Sequence, residues 1–489
     1  MSGFAAVCGL DGEARREACA QLLQVVAEQG IERVRVGWCD LHGALRGKTL
    51  MSPALPDALA HGVGMVSTLM LKDTSDRTAY KVFEPGLAER LPGFGMANNL
   101  LLLPDPASFV VLPWAAGTGW LRAMPYFADG TPVALDARRV LIDALARLAA
   151  GSYGLRCGLE VEFHIYRIES DPMDPMLATW PGAAPVVSML HPGYNLLSEA
   201  WVDRCDEALR IVQHTAQGLG LPLRSLEIEL GPSQFEAVFD ATDALTAADQ
   251  MVLLRNGVAQ ALRRAGYLAS FVCRPPFANI MSSGWHLHQS LVDEAGGNLF
   301  MPKVPAPGAA PTDAHGVLSG LGGRWLAGLL AHAPGGSAFA TPTINGYGRY
   351  GVNALAPQAV LWGRDNRGAM LRVLGGPGDA ATRIENRCGE PLANPYLYIA
   401  AQIHAGLDGL ARALRPPPAT ESPYAGQDRL LPASLADALA ALQRDEPLCA
   451  GFGQAFIDHY LQIKQHELQR HAAAADQDEW QRREYFSRF

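Results

Sequence analysis

The sequence predicts an α+β protein of two unequal domains, a small mixed unit over residues 1–128 and a larger one over residues 129–489. Three observations carry this. The chain has 489 residues, more than one ordinary domain holds and enough to bury a large core. Hydrophobic residues make up 49% and charged residues 18%, which is a globular composition. Helical and strand-like segments alternate along the chain without the regular βαβ rhythm of a parallel sheet.

The elements follow in order. Residues 12–29 have the period of an amphipathic helix, and Val34, Val36 and Trp38 mark an alternating strand after it. Asp40-Leu-His-Gly43 supplies turn chemistry. Short strand-like runs at residues 99–103 and 109–112 each end at a proline. The turn-rich stretch from Tyr126 to Pro132 precedes a helix over residues 136–149, and the domain division falls there. Prolines make loops of residues 302–312 and 416–423, and residues 445–489 read as a mostly charged helical tail.

Several function classes are excluded early. A formal charge of −9 with no basic block argues against nucleic acid, whose phosphates call for a basic surface. Asp11, Glu13 and Glu17 stand where a signal peptide needs positive charge and then an apolar run. No stretch reaches the roughly 18 apolar residues of a membrane helix. The eight cysteines are scattered without a C-x-x-C pair, as expected of free thiols in a reducing cytoplasm rather than of a disulfide framework or zinc site.

The informative signal is a pattern that occurs four times. In Leu159-Glu-Val-Glu-Phe-His-Ile165, apolar residues alternate with Glu160, Glu162 and His164. A strand with this alternation buries the apolar set and projects both carboxylates from the other face, about 7 Å apart. Glu229 and Glu236 flank the strand-breaking Gly231-Pro232. His286, His288 and Ser290 share one face of a third strand, and Arg383, Glu385 and Arg387 share one face of a fourth. One such strand alone is usually half-solvated sheet. Four together, with five glutamates and no lysine, are not a solvated face.

Facing carboxylates repel unless cations sit between them. Oxygen ligands with one or two imidazoles and no thiolate suit Mg²⁺ or Mn²⁺. Divalent ions beside arginines suggest phosphoryl chemistry, in which positioning and charge stabilisation do most of the work. No G-x-x-x-x-G-K-[ST] motif is present, so the phosphate cradle is not a P-loop.

The ordered succession of Gly158-Leu-Glu-Val-Glu-Phe163, Glu229-Leu-Gly-Pro-Ser-Gln-Phe-Glu236, Ser283-Gly-Trp-His-Leu-His-Gln-Ser-Leu291, Asn345-Gly-Tyr-Gly-Arg349, Trp362-Gly-Arg-Asp-Asn-Arg367 and Arg383-Ile-Glu-Asn-Arg387 resembles glutamine synthetase. The match runs from about residue 30 to about residue 415. The resemblance implies a β-grasp-like amino-terminal domain and a catalytic domain built on a curved antiparallel sheet flanked by helices. It also implies rings, usually dodecamers of two hexamers, with active sites between neighbouring subunits. By resemblance Glu162, Glu229 and Glu236 would hold one metal ion, and Glu160, His286 and Glu385 a second, with two or three ions per site. His288, Ser290 and Arg383 fall at nucleotide-contacting positions. Arg349 and Arg387 match residues that grip the α-carboxylate of glutamate, and Arg367 and Arg372 match phosphate-facing arginines. The implied reaction passes through γ-glutamyl phosphate, made with ATP and then attacked by an amine.

Three positions depart from the glutamine-forming pattern. Leu355 stands where such members have a flap glutamate that draws a proton from ammonium. The amino-terminal D-G-S-S loop is replaced by His61-Gly-Val-Gly-Met-Val-Ser67, with Asp73 or Asp76 as displaced substitutes. Met281-Ser-Ser-Gly284 replaces Asn-Gly-Ser-Gly. Leucine disfavours a cation and welcomes apolar surface, so the expected amine is organic, alkyl or aromatic. The alternatives are an ammonia-using glutamine synthetase and a non-catalytic relative.

Overall fold

Hydrogen-bonded pairing sorts the strands of the computed structural model into two sheets. The structure describes residues 3–489 except 172, 303–307, 309–313, 351–355, 426–428, 487 and 489. The first sheet holds β1 (Arg33–Cys39), β2 (Leu45–Met51), β3 (Val63–Val66), β4 (Asn99–Pro104), β5 (Val110–Val111) and β6 (Thr118–Tyr126). Its order is β2-β1-β6-β4-β3, with β5 also on β6. The β1–β6 pair is parallel and the others are antiparallel. The amphipathic helix forms as Glu13–Glu28 and lays Leu22 and Val26 against Val34 and Leu121.

The turn between β1 and β2 forms because Asp40 Oδ1 accepts from the backbone N–H groups of His42 and Ala44, at 2.9 and 3.0 Å. Gly43 has φ +81°, and a Cβ there would lie 2.2 Å from Arg255 Nη2. Only glycine meets both demands.

The helix Ala137–Ala149 is capped by Asp136, which accepts from Arg139 N at 2.9 Å and from Trp38 Nε1 at 2.7 Å. Burial pushes the Asp136 carboxyl up to about 6.

The second sheet contains β7 (Gly154–Ser170), β8 (Val186–Met189), β9 (Leu223–Ile228), β10 (Gln234–Phe239), β11 (Thr242–Asp243), β12 (Tyr267–Ser270), β13 (Trp285–Val292), β14 (Trp362–Arg364), β15 (Leu371–Leu374) and β16 (Arg383–Gly389). Its path is β14-β15-β16-β13-β7-β10-β9. All its pairs are antiparallel except β14–β15. The α+β expectation is therefore met, with the long curved sheet as the larger layer.

The spine of that sheet is β7, longer than residues 159–165 alone suggest, and it pairs with β8, β10, β11, β12 and β13. Leu159, Val161, Phe163 and Ile165 are buried in the main core, where β7 packs on helices Ala137–Ala149 and Ala244–Arg264. The same apolar cluster includes Val36 and Trp38 of β1, so the two sheets share one core.

The carboxy-terminal segment is helical, as its composition suggests, but it does not lie on the surface. Helix Gln454–Ala472 buries Phe456, Ile457, Tyr460 and Ile463. The closing turn Arg482–Phe486 buries Tyr485, while Phe486 packs on Tyr166 and Phe277. Four of its charges are paired inside: Lys464 with Glu467 at 3.0 Å, and Arg470 with Glu484 and also with Asp73, the latter at 2.7 Å. Among the described residues no helix is long and apolar enough to cross a membrane. All eight cysteines are free thiols.

Candidate active site

Strand register assembles the site. Glu160 of β7 stands opposite His286 of β13, and Glu162 stands opposite Glu236 of β10. On the far side of β13, His288 stands opposite Glu385 of β16, which in turn faces Arg372 of β15. Directly opposed residues have Cβ atoms about 4.5–5.5 Å apart, so these pairs form a continuous polar row. Glu229 arrives from the turn after β9, with its carboxylate oriented by Leu230 N at 3.0 Å. Apart from the fully buried Glu385, the row lines a cleft of about 1190 Å³, together with Ser290, Arg349, Arg367, Arg372, Arg383 and Arg387. His164, the third polar residue of the β7 pattern, is not in the cleft. It is fully buried, 3.3 Å from Ser283 Oγ, and burial with the nearby His191 lowers its pKa to about 3.

Two ligand groups result. Glu162, Glu229 and Glu236 place carboxylate oxygens within 4.8 Å of one another, and carboxylate oxygens of Glu160 and Glu385 lie as close to each other and to a ring nitrogen of His288. In the first group burial, then repulsion from Glu229, raises Glu162; burial, then repulsion from Glu162, raises Glu236. A divalent cation would relieve that repulsion, and an all-oxygen set without a thiolate is the donor chemistry a hard ion takes.

The second group carries its own counter-charges. Burial opposes ionisation of Glu160, but hydrogen bonds from His286 and His288 hold its carboxyl well below the usual range. Glu385 is likewise lowered against its burial, by His286 and Arg387, and Arg372 Nη1 donates to it at 3.0 Å.

Both imidazoles approach Glu160, His286 Nδ1 at 3.3 Å and His288 Nε2 at 2.9 Å. The resemblance gives His286 to the second ion and His288 to the nucleotide, whereas in the structure it is His288 that groups with Glu160 and Glu385. Arg383 Nε–H, which only donates, lies 3.0 Å from His288 Nδ1. With Nδ1 accepting from Arg383, the proton of a neutral His288 ring sits on Nε2, which faces Glu160 at 2.9 Å. His286 is kept neutral by burial and by the Arg387 charge, the state in which an imidazole can ligate.

The expected substrate-gripping arginines are already partly engaged. Arg349 donates through Nη1 and Nη2 to the carbonyls of Gly389 at 2.9 Å and Arg387 at 3.2 Å, and Arg387 Nη1 pairs with Glu385. The Nε of each arginine is buried without a partner. Arg367 is exposed and Ser290 half-buried. Leu355 lies outside the described residues. Asp73 is buried and taken up by Arg470 at 2.7 Å and His466 at 2.9 Å, while Asp76 pairs with Arg46.

One positioning residue escaped the sequence reading. Gln234 Nε2 donates to Glu162 Oε2 at 3.2 Å and to Ser283 Oγ at 3.0 Å, while its Oε1 accepts from Gly231 N at 2.8 Å. It fixes the turn and the carboxylate together. Its place two residues before Glu236, on the same strand face, was the available signal.

A family model described as the catalytic domain of glutamine synthetase matches residues 134–485. The chain belongs to the glutamine synthetase family. It is 37% identical to a γ-glutamylanilide synthase of Acinetobacter sp, over 97% of this chain and 96% of that one. It is 29% identical to γ-glutamylethanolamide synthetase GlnA4 of Streptomyces coelicolor, over 96% of this chain and 95% of the other. A solved structure of apo GmaS without ligand matches with a TM-score of 0.75 and 29% identity, covering 94% of this chain and 98% of that one. The chain thus matches ligases named for organic amines over nearly its whole length.

Proposed function

We propose that this chain joins the γ-carboxylate of glutamate to the nitrogen of an organic amine, alkyl or aromatic, with ATP converted to ADP and phosphate. The observation that carries the reading is the pairing of two carboxylate groups with a row of arginines in one cleft. The γ-glutamylanilide and γ-glutamylethanolamide relatives support the choice of an organic amine, as does leucine at position 355.

Glu162, Glu229 and Glu236 would hold one Mg²⁺ or Mn²⁺, and Glu160, His286 and Glu385 another, with room for two or three ions in all. Bound ions would supply Lewis-acid charge beside the phosphate oxygens. His288, Ser290, Arg372 and Arg383 orient the nucleotide. The unpartnered Nε–H groups of Arg349 and Arg387 are donors left over for the α-carboxylate of glutamate. The γ-carboxylate attacks the terminal phosphorus, ADP leaves, and Arg367 neutralises charge on the transferred group. The amine nitrogen then attacks the acyl carbon, phosphate departs, and the nitrogen loses one proton.

The same reading treats residues 1–128 as the β-grasp-like domain and 129–489 as the catalytic domain, arranged in a ring-forming homo-oligomer, a dodecamer by resemblance. The cytoplasm supplies ATP and keeps free thiols reduced, which suits the eight free cysteines. The deciding experiment measures phosphate release with glutamate and ATP across ammonium, methylamine, aniline, ethanolamine and putrescine. An organic amine is expected to give the highest kcat/KM. Saturation by ammonium at about millimolar concentration, with no gain from any organic amine, would overturn the proposal.

A further inference from the structure

The cleft is not polar all round. Beside Glu229 its wall is apolar, formed by Leu196, Leu197, Leu230 and Met281. Leu196 and Leu197 are 51% and 61% exposed, so their side chains are largely bare. The segment that carries them is nevertheless firmly held. Tyr194 N donates to Leu230 O at 2.6 Å, Leu197 N to Ile228 O at 3.0 Å, and the Tyr194 hydroxyl to Asn279 O at 2.7 Å. Gly193, with φ +76°, packs so closely that a Cβ would lie 2.5 Å from Pro232 N.

Tyr194 and Leu197 also have φ of 57° and 55°, the left-handed region that L residues with bulky side chains avoid. Backbone strain and bare apolar surface are both unfavourable in the free protein. They persist here because hydrogen bonds tie the segment to the strand end that carries Glu229. Held strain of this kind clusters at ligand clamps, and an apolar group seated on the leucines would offset the exposed surface.

We infer that Leu196 and Leu197 form the surface that receives the organic part of the amine and so select alkyl and aromatic amines over ammonium. The inference rests on the organic-amine reading above. The location suits it: Leu197 N is bonded to the residue immediately before Glu229, so a ring lying on this wall stands beside the ion-binding carboxylates, where the acyl group is activated. Ammonium gains nothing from leucine, whereas each methylene or ring edge placed there adds a discriminating contact. Met281 extends the same wall.

The test compares wild type with Leu196→Ser, Leu197→Ser and Leu197→Met in the full-length protein, using aniline, isopropylamine, methylamine and ammonium at saturating glutamate and ATP. Either serine variant is expected to lower the aniline-to-methylamine ratio of kcat/KM by about tenfold or more. The loss should appear in the amine KM, with the KM for ATP within about twofold of wild type. Leu197→Met, which keeps most of the apolar surface, should restore the ratio. An unchanged ratio overturns the inference, and so does a changed assembly size on gel filtration, which would make the leucines a subunit contact. A wild type that prefers ammonium sinks this inference and the organic-amine reading together. A wild type that prefers an organic amine, with serine variants that keep its profile, sinks this inference alone.

Discussion

Glu236 faces Glu162 across β7 and β10 and shares a 4.8 Å cluster with Glu229, an arrangement that burial and mutual repulsion make unfavourable until a cation enters. Glu236→Gln removes one charge and keeps the shape. Without metal, the variant should melt at a higher temperature than wild type, because repulsion is relieved. With metal, it should bind Mn²⁺ at least about tenfold more weakly, a loss of about 1.4 kcal/mol. Calorimetric titration and melting curves with and without chelator check both parts, and a metal-free variant less stable than metal-free wild type would refute the account. At this scale the sequence was highly legible, because alternation alone put Glu160, Glu162, His286 and Glu385 on polar strand faces. What it could not supply was proton placement. That Arg383 fixes the His288 tautomer is a contact between β13 and β16, invisible until their register is known.

Elements were legible where a local pattern suffices and obscure where tertiary pairing decides. Helix Glu13–Glu28, the capped helix Ala137–Ala149 and strand β1 form close to where their periodicity places them. Helix Gln454–Ala472 was harder, because Lys464 and Glu467 interrupt its apolar stripe, and burial of this i,i+3 pair, with the Tyr485 hydroxyl donating to Glu467, depends on tertiary packing. The junction of helix Gly320–Ala331 with the segment after it shows the same principle. His332 caps that helix and is nearly buried, with Nε2 2.8 Å from Asp408 and Nδ1 2.9 Å from Asp445, while Arg412 also pairs with Asp408 at 3.0 Å. Burial opposes the imidazolium, but Asp445 and Asp408 outweigh it and raise its pKa. A raised folded pKa means stability that is fully present below the unfolded value of about 6.5 and is lost as pH climbs through the folded value. Melting temperature should therefore fall over that window more steeply in wild type than in His332→Gln. Parallel pH curves for the two proteins would show that the contact carries no such linkage.

The whole molecule depends on how the small sheet is tied to the large one, and no sequence pattern reveals that tie. Arg255 looks like one more charge on helix Ala244–Arg264, yet it is 6% exposed. Its Nη1 donates to the carbonyls of Pro391 and Ala393 at 2.8 and 2.9 Å, and its Nη2 to that of Gly43 at 3.3 Å. Asn394, which caps helix Pro395–Ala411, adds bonds to the carbonyls of Asp40 and Leu41 at 3.0 and 3.1 Å. The β1–β2 turn is thereby fastened to the segment that follows β16, the strand carrying Glu385 and Arg387. Arg255→Met keeps most of the volume but removes the donors from three carbonyls, two of which share one nitrogen. Stranding buried acceptors costs about 1–3 kcal/mol each, so a total loss of roughly 3 kcal/mol or more is expected. Arg255→Lys should recover only part of it, since one ammonium cannot reproduce the forked geometry. The decisive measurement is amide hydrogen exchange. If Arg255 fastens the turn, protection should fall first at residues 40–46, before the β7 core loosens. Exchange that rises evenly across both sheets would mean that the shared apolar core alone holds the two parts together.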